Sequence, residues 1–331
     1  MIAAKRRVAV LGLGSIGLRH LNALRRLPGV DAIAVPARQR VVDNGLTAST
    51  LAEAAGLGAT ACVIATNTGR HLDDARAALE LGLDVLVEKP LALDASEARL
   101  LRHHAEQSTA RLFVGYVLRF SSSLNCFRDR LSQIGRLHAV RIECQSYLPD
   151  WRPDRPYRES YSASGQEGGV LRDLSHEIDY AGWLFGWPTA LDARVHNLGR
   201  LRIDGEETAD LMWEHADGCV VSVRLDFLSR PGRRRMVAFG ESGTLEWNGL
   251  ENIVTLCLVD EPVAVVSVPQ TADERIELED AAFLAATDRV NSTPVDPRLA
   301  TADEGFRSLA VCDAARRASA ARRQAPVDYA S

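Results

Sequence analysis

The feature that most constrains this chain is Val8-Ala9-Val10-Leu11-Gly12-Leu13-Gly14-Ser15-Ile16-Gly17. An apolar run enters G-x-G-x-x-G and leaves into a helical pattern. Ile16, Leu21, Leu24 and Leu27 recur at helical spacing, and Pro28-Gly29 stops it. Each glycine has its own task in such a turn. Gly12 permits the tight reversal, Gly14 lets the backbone approach a ligand, and Gly17 lets the helix pack closely on the strand. The helix N-terminus adds amide donors and a positive dipole, which suit a pyrophosphate. The strand before and the helix after turn a weak glycine signal into a predicted dinucleotide site; the alternative is a glycine-rich turn with no ligand.

The surrounding pattern agrees. Residues 7–11, 30–35, 61–65, 84–87 and 112–116 read as short buried strands, with helical patterns between them. This predicts an α/β Rossmann domain with a parallel sheet over residues 1–119. Asp94-Ala95-Ser96-Glu97 reads as a capping box opening one of the helices. After Arg119-Phe120 the strands lengthen, at 137–147, 206–215, 218–228, 233–240 and 252–260. They are punctuated by Asp217-Gly218, Gly240-Glu241-Ser242-Gly243 and Asn248-Gly249. Residues 120–331 are therefore expected to form an α+β C-terminal domain with a large, mostly antiparallel, open-faced sheet. One helix spans 170–185 and another lies near 302–321.

Composition narrows the class. The chain has 331 residues, 46% apolar and 25% charged, with a net charge of −5. These fractions are those of an ordinary globular protein of two domains, without disorder. No apolar run approaches a membrane span. The acidic balance argues against a nucleic-acid partner. Cys62, Cys126, Cys144, Cys219, Cys257 and Cys312 show no C-x-x-C spacing. They read as packed, reduced thiols in a cytoplasmic protein, and no metal site can be assembled from them. Of 39 basic residues only Lys5 and Lys89 are lysine. Where a lysine stands in a chain that otherwise uses arginine, its chemistry is informative.

The second strand runs into Ala34-Val35-Pro36-Ala37-Arg38-Gln39-Arg40. No carboxylate stands where an NAD site places one for the adenosine ribose. The guanidinium of Arg38 suits the 2′-phosphate of NADP, so NADP is favoured over NAD. The alternative is that Arg38 and Arg40 are solvated loop charges.

Two further segments complete a recognisable set. Ile64-Ala65-Thr66-Asn67-Thr68-Gly69-Arg70-His71 is a strand end followed by a polar turn, and Val87-Glu88-Lys89-Pro90 ends another strand. Together with the glycine turn, with Val114-Gly115-Tyr116 and Arg119-Phe120, and with Gly168-Gly169-Val170, His176 and Asp179, the chain resembles the Gfo/Idh/MocA family of sugar and cyclitol oxidoreductases. The resemblance covers essentially the whole chain. It implies that Gly12, Gly14, Ser15 and Ile16 cradle the pyrophosphate. It implies that Thr66, Asn67 and His71 line the cofactor channel, that Glu88 bonds the nicotinamide-side ribose, and that Lys89 reaches both cofactor and substrate hydroxyl. It also implies a cis bond before Pro90. Tyr116 and Arg119 are expected on the substrate side.

The residues themselves agree on Lys89. It lies at the C-terminal end of a predicted parallel strand, where open α/β sheets bind ligands. An ammonium is a compact donor that can give up its proton, unlike a guanidinium. The alternative is a structural Lys–Glu surface pair. On a single helix over 170–185, Asp173, His176, Glu177 and Tyr180 share one stripe, beside an apolar stripe of Leu171, Leu174, Ile178, Ala181 and Phe185. An imidazole with a carboxylate to orient it can move a proton; the alternative is a buried structural histidine. The family pattern D-x-x-x-H is not kept. Here the spacing is Asp173-Leu174-Ser175-His176, with Arg172 at the usual acid position. We read His176 as the proton carrier, oriented by Asp173 or with Asp173 on the substrate.

Ahead of that helix, Trp151-Arg152-Pro153-Asp154-Arg155-Pro156-Tyr157-Arg158 interleaves arginines with aromatic rings. Arg152 and Tyr157 are candidate substrate residues for an anionic or nucleotide-linked sugar. The alternative is a proline-rich connection. The expected function is an NAD(P)-dependent oxidoreductase acting on a secondary alcohol or ketone of a sugar-like substrate, with catalytic Lys89, His176 and Asp173. Two alternatives share the fold: a glycosidase that retains NAD, and a dinucleotide-binding regulator without turnover. An exposed sheet face predicts a homodimer or homotetramer.

Overall fold

The computed structural model describes residues 5–37, 45–151, 153, 156–289 and 294–330. The chain opens with β1 (Arg6–Leu11), α1 (Ser15–Arg26), β2 (Val30–Val35), β3 (Leu46–Thr47), α2 (Leu51–Gly56) and β4 (Ala59–Ile64). Then come α3 (His71–Glu80), β5 (Asp84–Glu88), α4 (Ala95–Gln107) and β6 (Leu112–Gly115). Past Phe120 lie α5 (Ser122–Arg128), β7 (Leu137–Gln145), α6 (Val170–Asp173) and α7 (Ser175–Phe185). Strands β8 (Ala190–His196), β9 (Thr208–Glu214), β10 (Val220–Asp226) and β11 (Arg233–Gly240) follow. They continue as β12 (Gly243–Asn248), β13 (Ile253–Leu258) and β14 (Ala264–Ser267). The chain closes with α8 (Ala272–Ala286), β15 (Ala300–Thr301), α9 (Ala302–Ala321) and β16 (Ala325–Pro326).

These elements form two compact units. One is Met1–Phe120 with Thr271–Phe306, and the other is Ser121–Gln270 with Arg307–Ser331. The stretch expected as one continuous second domain, 120–331, is thus interrupted. Residues 271–306 return to the first unit.

The first unit holds a sheet ordered β15-β6-β5-β4-β1-β2-β3, parallel except where β15 meets β6. Its central strands are near-continuous apolar runs because helices cover both faces. Val8, Ala9, Val10, Val63, Ile64, Val85, Leu86 and Val87 are all fully buried. The returning α8 packs against α1. Phe283 on α8 meets Phe113 edge-on, with centroids 6.2 Å apart. A full capping box, Thr271 with Glu274, starts α8. The box read at the start of α4 is half present. Asp94 accepts from the Glu97 amide, but the Glu97 carboxylate reaches back to the Leu93 amide instead.

The second unit is built on a nine-stranded sheet, β14-β13-β12-β11-β7-β10-β9-β8-β16. Every pairing is antiparallel except β10 with β7. Helix α7 lies against β7 and β10. Tyr180 from that helix meets Trp247 edge-on at 5.6 Å. The single helix expected over 170–185 is two: α6 ends at Asp173, and Leu174 leaves the helical region at φ −96°, ψ 30° before α7 begins. All six cysteines are free thiols. Burial pushes Cys144 and Cys312 up to about 12. Among the described residues, no helix is long and apolar enough to cross a membrane.

Candidate active site

In the first unit the glycine turn has the shape its sequence demands. Gly12 adopts φ +89°, and a Cβ there would stand 2.7 Å from the Ala65 carbonyl oxygen. A Cβ on Gly17 would stand 1.9 Å from the Gly12 carbonyl oxygen, so helix and turn can close only over glycine. Gly14 differs: no atom lies within 4 Å of where its Cβ would be. It is the N-cap of α1, and no side chain caps the helix there. Gly14 and Ser15 are exposed and Ile16 is half-buried. An open approach to an uncapped helix N-terminus fits a pyrophosphate. At the end of β2, Pro36 and Ala37 bring no carboxylate; Arg38 lies outside the described residues.

Two more strand ends complete this side. After β4, the Thr66 hydroxyl donates to Asp74 at 2.7 Å, and Asn67 is exposed. After β5, the Lys89–Pro90 bond is cis. Lys89 is half-buried, in contrast to Lys5, which makes an exposed 3.0 Å ion pair with Asp31. Glu88 is buried, and its Oε2 accepts from the Lys89 amide at 3.0 Å. A Cβ on Gly115 would stand 3.3 Å from the Glu88 Cα and Cδ, so this glycine makes room for the acid.

Two buried imidazoles grip that tip. His71 was expected to line the cofactor channel; it is only 1% exposed. Its Nδ1 lies 2.8 Å from the Pro90 carbonyl oxygen and its Nε2 3.1 Å from that of Thr66. It therefore sits between the two loops, and as a neutral ring it donates to one carbonyl while its bare nitrogen faces the other. His20, on the buried face of α1, lies 3.0 Å from Glu88 Oε1 through Nε2 and 2.8 Å from Asp280 Oδ1 through Nδ1. Burial pulls the His20 pKa down, but Asp280 and Glu88 outweigh it and hold it well above the usual imidazole value. Burial lowers that of His71, and the bonds to the Pro90 and Thr66 carbonyls together with the charges of Glu88 and Asp74 oppose it without outweighing it. Neither His20 nor Asp280 was found from sequence. His20 stands three residues past Gly17, a signal that could have been used; Asp280 carries none.

Tyr116 and Arg119, expected on the substrate side, are buried. They are 1% and 0% exposed, and Arg119 donates to Glu304 at 2.8 Å within the same unit. This part-buried ion pair, with an acid from the returning segment, has no clear sequence signal.

In the second unit the predicted stripe separates. Asp173 and His176 lie on either side of the break at Leu174, 5% and 9% exposed. Asp173 Oδ1 accepts from the Tyr161 hydroxyl at 2.7 Å, a partner that sequence reasoning missed. Glu177 and Tyr180 belong to the core. Glu177 is fully buried, takes a 2.8 Å bond from Arg234 of β11, and accepts from Tyr180 at 3.3 Å. Arg172 is buried and donates to the Gly165 and Gly168 carbonyls. The Tyr157 hydroxyl donates to the Leu201 carbonyl at 3.0 Å. Arg152 lies outside the described residues.

Known families match two stretches of the chain. Residues 6–116 match "Oxidoreductase family, NAD-binding Rossmann fold", and residues 131–246 match "GFO/IDH/MocA C-terminal domain". The rhizopine catabolism protein MocA of Rhizobium meliloti is 31% identical over 72% of this chain and 77% of its own. Inositol 2-dehydrogenase 2 of Saccharopolyspora erythraea is 30% identical over 98% of this chain and 96% of its own. Levoglucosan dehydrogenase in complex with NADH has the same fold. Its TM-score is 0.86 at 18% identity, over 98% of this chain and 99% of that one. The chain belongs to the Gfo/Idh/MocA family of oxidoreductases, and its residues 6–116 are the family's NAD-binding Rossmann fold.

Proposed function

We propose that this protein is a dehydrogenase that oxidises a secondary alcohol of a cyclitol or sugar. The observation that carries the reading is the half-buried Lys89, at the C-terminal end of β5 in the sheet that also holds the glycine turn. The names of its relatives support the substrate class, since one is an inositol 2-dehydrogenase. A bound nicotinamide ring supplies the hydride acceptor. Lys89 donates to the substrate oxygen and stabilises negative charge as the C–H bond breaks. His176 takes the hydroxyl proton, so that the alcohol loses one hydride and one proton to become a ketone. Asp173, held by Tyr161, orients His176 or binds a neighbouring hydroxyl.

The reading extends to cofactor choice. The end of β2 lacks a carboxylate, and Arg38 with Arg40 favours NADP. Fluorescence titration decides this: tighter NADP binding is expected, and loss of that preference in Arg38→Ala. Tighter NAD binding by the unaltered protein removes the proposal. The exposed face of the nine-stranded sheet carries a depression of ≈ 520 Å³ lined by Arg141, Glu143, Arg194, Asp210, Met212 and Arg224. A homodimer or homotetramer formed through this face is part of the proposal, and sedimentation of the intact protein tests it.

The experiment for the activity itself is a panel of neutral cyclitols, sugars, sugar acids and nucleotide sugars, read by reduced-nicotinamide absorbance. Reduction with a neutral cyclitol or sugar is expected. Turnover only with anionic sugars moves the substrate class. Release of a free sugar without net reduction establishes the NAD-retaining glycosidase instead, and dinucleotide binding with no turnover on any substrate establishes a regulator.

A further inference from the structure

The charge cluster behind Glu88 is more elaborate than a ribose-binding acid needs. Three elements meet there: α1 supplies His20, β5 supplies Glu88, and the returning α8 supplies Asp280. His20 and Asp280 are fully buried, and Glu88 is 8% exposed. Glu279, also buried, comes close as well: one ligand-type atom each from His20, Glu88 and Glu279 lies within 4.8 Å of the others. Buried carboxylates require a compensating cation or a proton. A metal is poorly served here, because both His20 nitrogens already face carboxylate oxygens, at 2.8 and 3.0 Å. Those two contacts are both satisfied when both nitrogens carry hydrogen, that is, by an imidazolium. Burial raises Asp280 as well, but the carboxylates on both sides hold His20 well above the usual imidazole value, which puts the cation of this cluster on the histidine.

The consequence runs outward along Glu88. One carboxylate oxygen accepts from His20, and the other accepts from the Lys89 amide. The orientation of this acid is therefore fixed from behind by α1 and in front by the backbone of the lysine. Helix α1 is also the helix whose N-terminus opens at Gly14. One rigid element thus sets both the pyrophosphate end and the nicotinamide end of the predicted cofactor site.

We propose that His20 is a positioning residue. Doubly protonated between Asp280 and Glu88, it holds the Glu88 carboxylate in the orientation that receives the nicotinamide-side ribose and aligns Lys89. This rests on the reading that Glu88 faces that half of the cofactor.

The test compares two ligands by calorimetry, ADP, which reports on the adenosine and pyrophosphate end and lacks the nicotinamide half, and the full reduced dinucleotide. In His20→Gln, which keeps one donor and loses the charge, ADP affinity should stay within about twofold. Dinucleotide affinity should fall about tenfold or more, the scale of one lost charge-assisted hydrogen bond. Saturated kcat should fall as well, with little change in KM for the alcohol. Equal affinities in variant and parent for both ligands overturn the assignment. So does a parallel loss for both ligands, because that is what a merely structural prop of α1 would give. If the parent itself binds the dinucleotide no better than ADP, the Glu88 reading fails and takes the assignment with it. If His20→Gln does not fold, Asp280→Asn carries the same comparison. It preserves side-chain volume and removes the charge that keeps His20 protonated, and the same split between ADP and dinucleotide is expected.

Discussion

His20 and His71 occupy similar surroundings and behave oppositely. Both are buried in the first unit, both engage two oxygen atoms, and both touch the Glu88-Lys89-Pro90 tip. His20 meets two carboxylates and is held cationic. His71 meets two backbone carbonyls, its value is lowered, and as a neutral ring it donates to only one of the two. Burial opposes the charge in both; direct bonds to two carboxylates outweigh it at His20, whereas two carbonyls, with Glu88 and Asp74 acting only through their charge, do not at His71. The tip is thus anchored at Glu88 by an ion cluster and at Pro90 by a neutral ring, with Lys89 between them.

The largest expected effect is at the residue so anchored. If the two imidazoles serve to aim an ammonium, Lys89→Arg should lower kcat by about 10³-fold, in the range for loss of a positioned acid–base group. Dinucleotide affinity should change little. Near-normal turnover in this variant would remove Lys89 from the mechanism and leave the tip a structural feature. Next in size is the cost of deleting each ring. His20→Leu leaves two buried carboxylates uncompensated and should cost about 3–5 kcal/mol of unfolding free energy in urea. His71→Leu leaves only carbonyls unpaired and should cost about 1–3 kcal/mol. The reverse order would break the comparison.

Acidity separates the two rings further. The usual imidazole value is 6.5. The His20 value is raised in the fold, so its contribution to stability is complete below 6.5 and is lost as pH rises through the raised value. The His71 value is lowered, so its contribution is complete above 6.5 and is lost as pH falls through the lowered value. Urea unfolding across pH should therefore show His20→Gln converging on the parent towards alkaline pH and His71→Gln converging towards acid. The smallest effect is at the other lysine. Lys5→Ala breaks an exposed pair with Asp31 and should cost less than about 1 kcal/mol, with turnover unchanged.

Sequence reasoning reached different depths in the two units for a physical reason. In the first, strand, turn and helix are contiguous, so each local rule constrains the next. Gly12, Gly14 and Gly17 stand where the turn needs them, and Glu88-Lys89-Pro90 ends a strand as expected. What escaped was long-range. Asp280 lies 260 residues from His20, and nothing local to α8 marks its return to the first unit. In the second unit, periodicity put Asp173, His176, Glu177 and Tyr180 on one helical stripe. That inference assumed an unbroken helix. The break at Leu174 separates Asp173 from the rest, and Arg234, 57 residues further on, draws Glu177 into the core. Helical spacing finds a face, but it does not say whether distant chain has covered that face with a counter-ion.

The central claim is that one cationic and one neutral imidazole hold the lysine-bearing tip. Nitrogen NMR of histidine-labelled protein at about pH 7.5, a unit above an ordinary imidazole, reads both rings at once. His20, identified by its loss in His20→Gln, should show two protonated nitrogens, and His71, identified likewise, one protonated and one bare. A neutral His20, or two rings in the same state, would contradict the account.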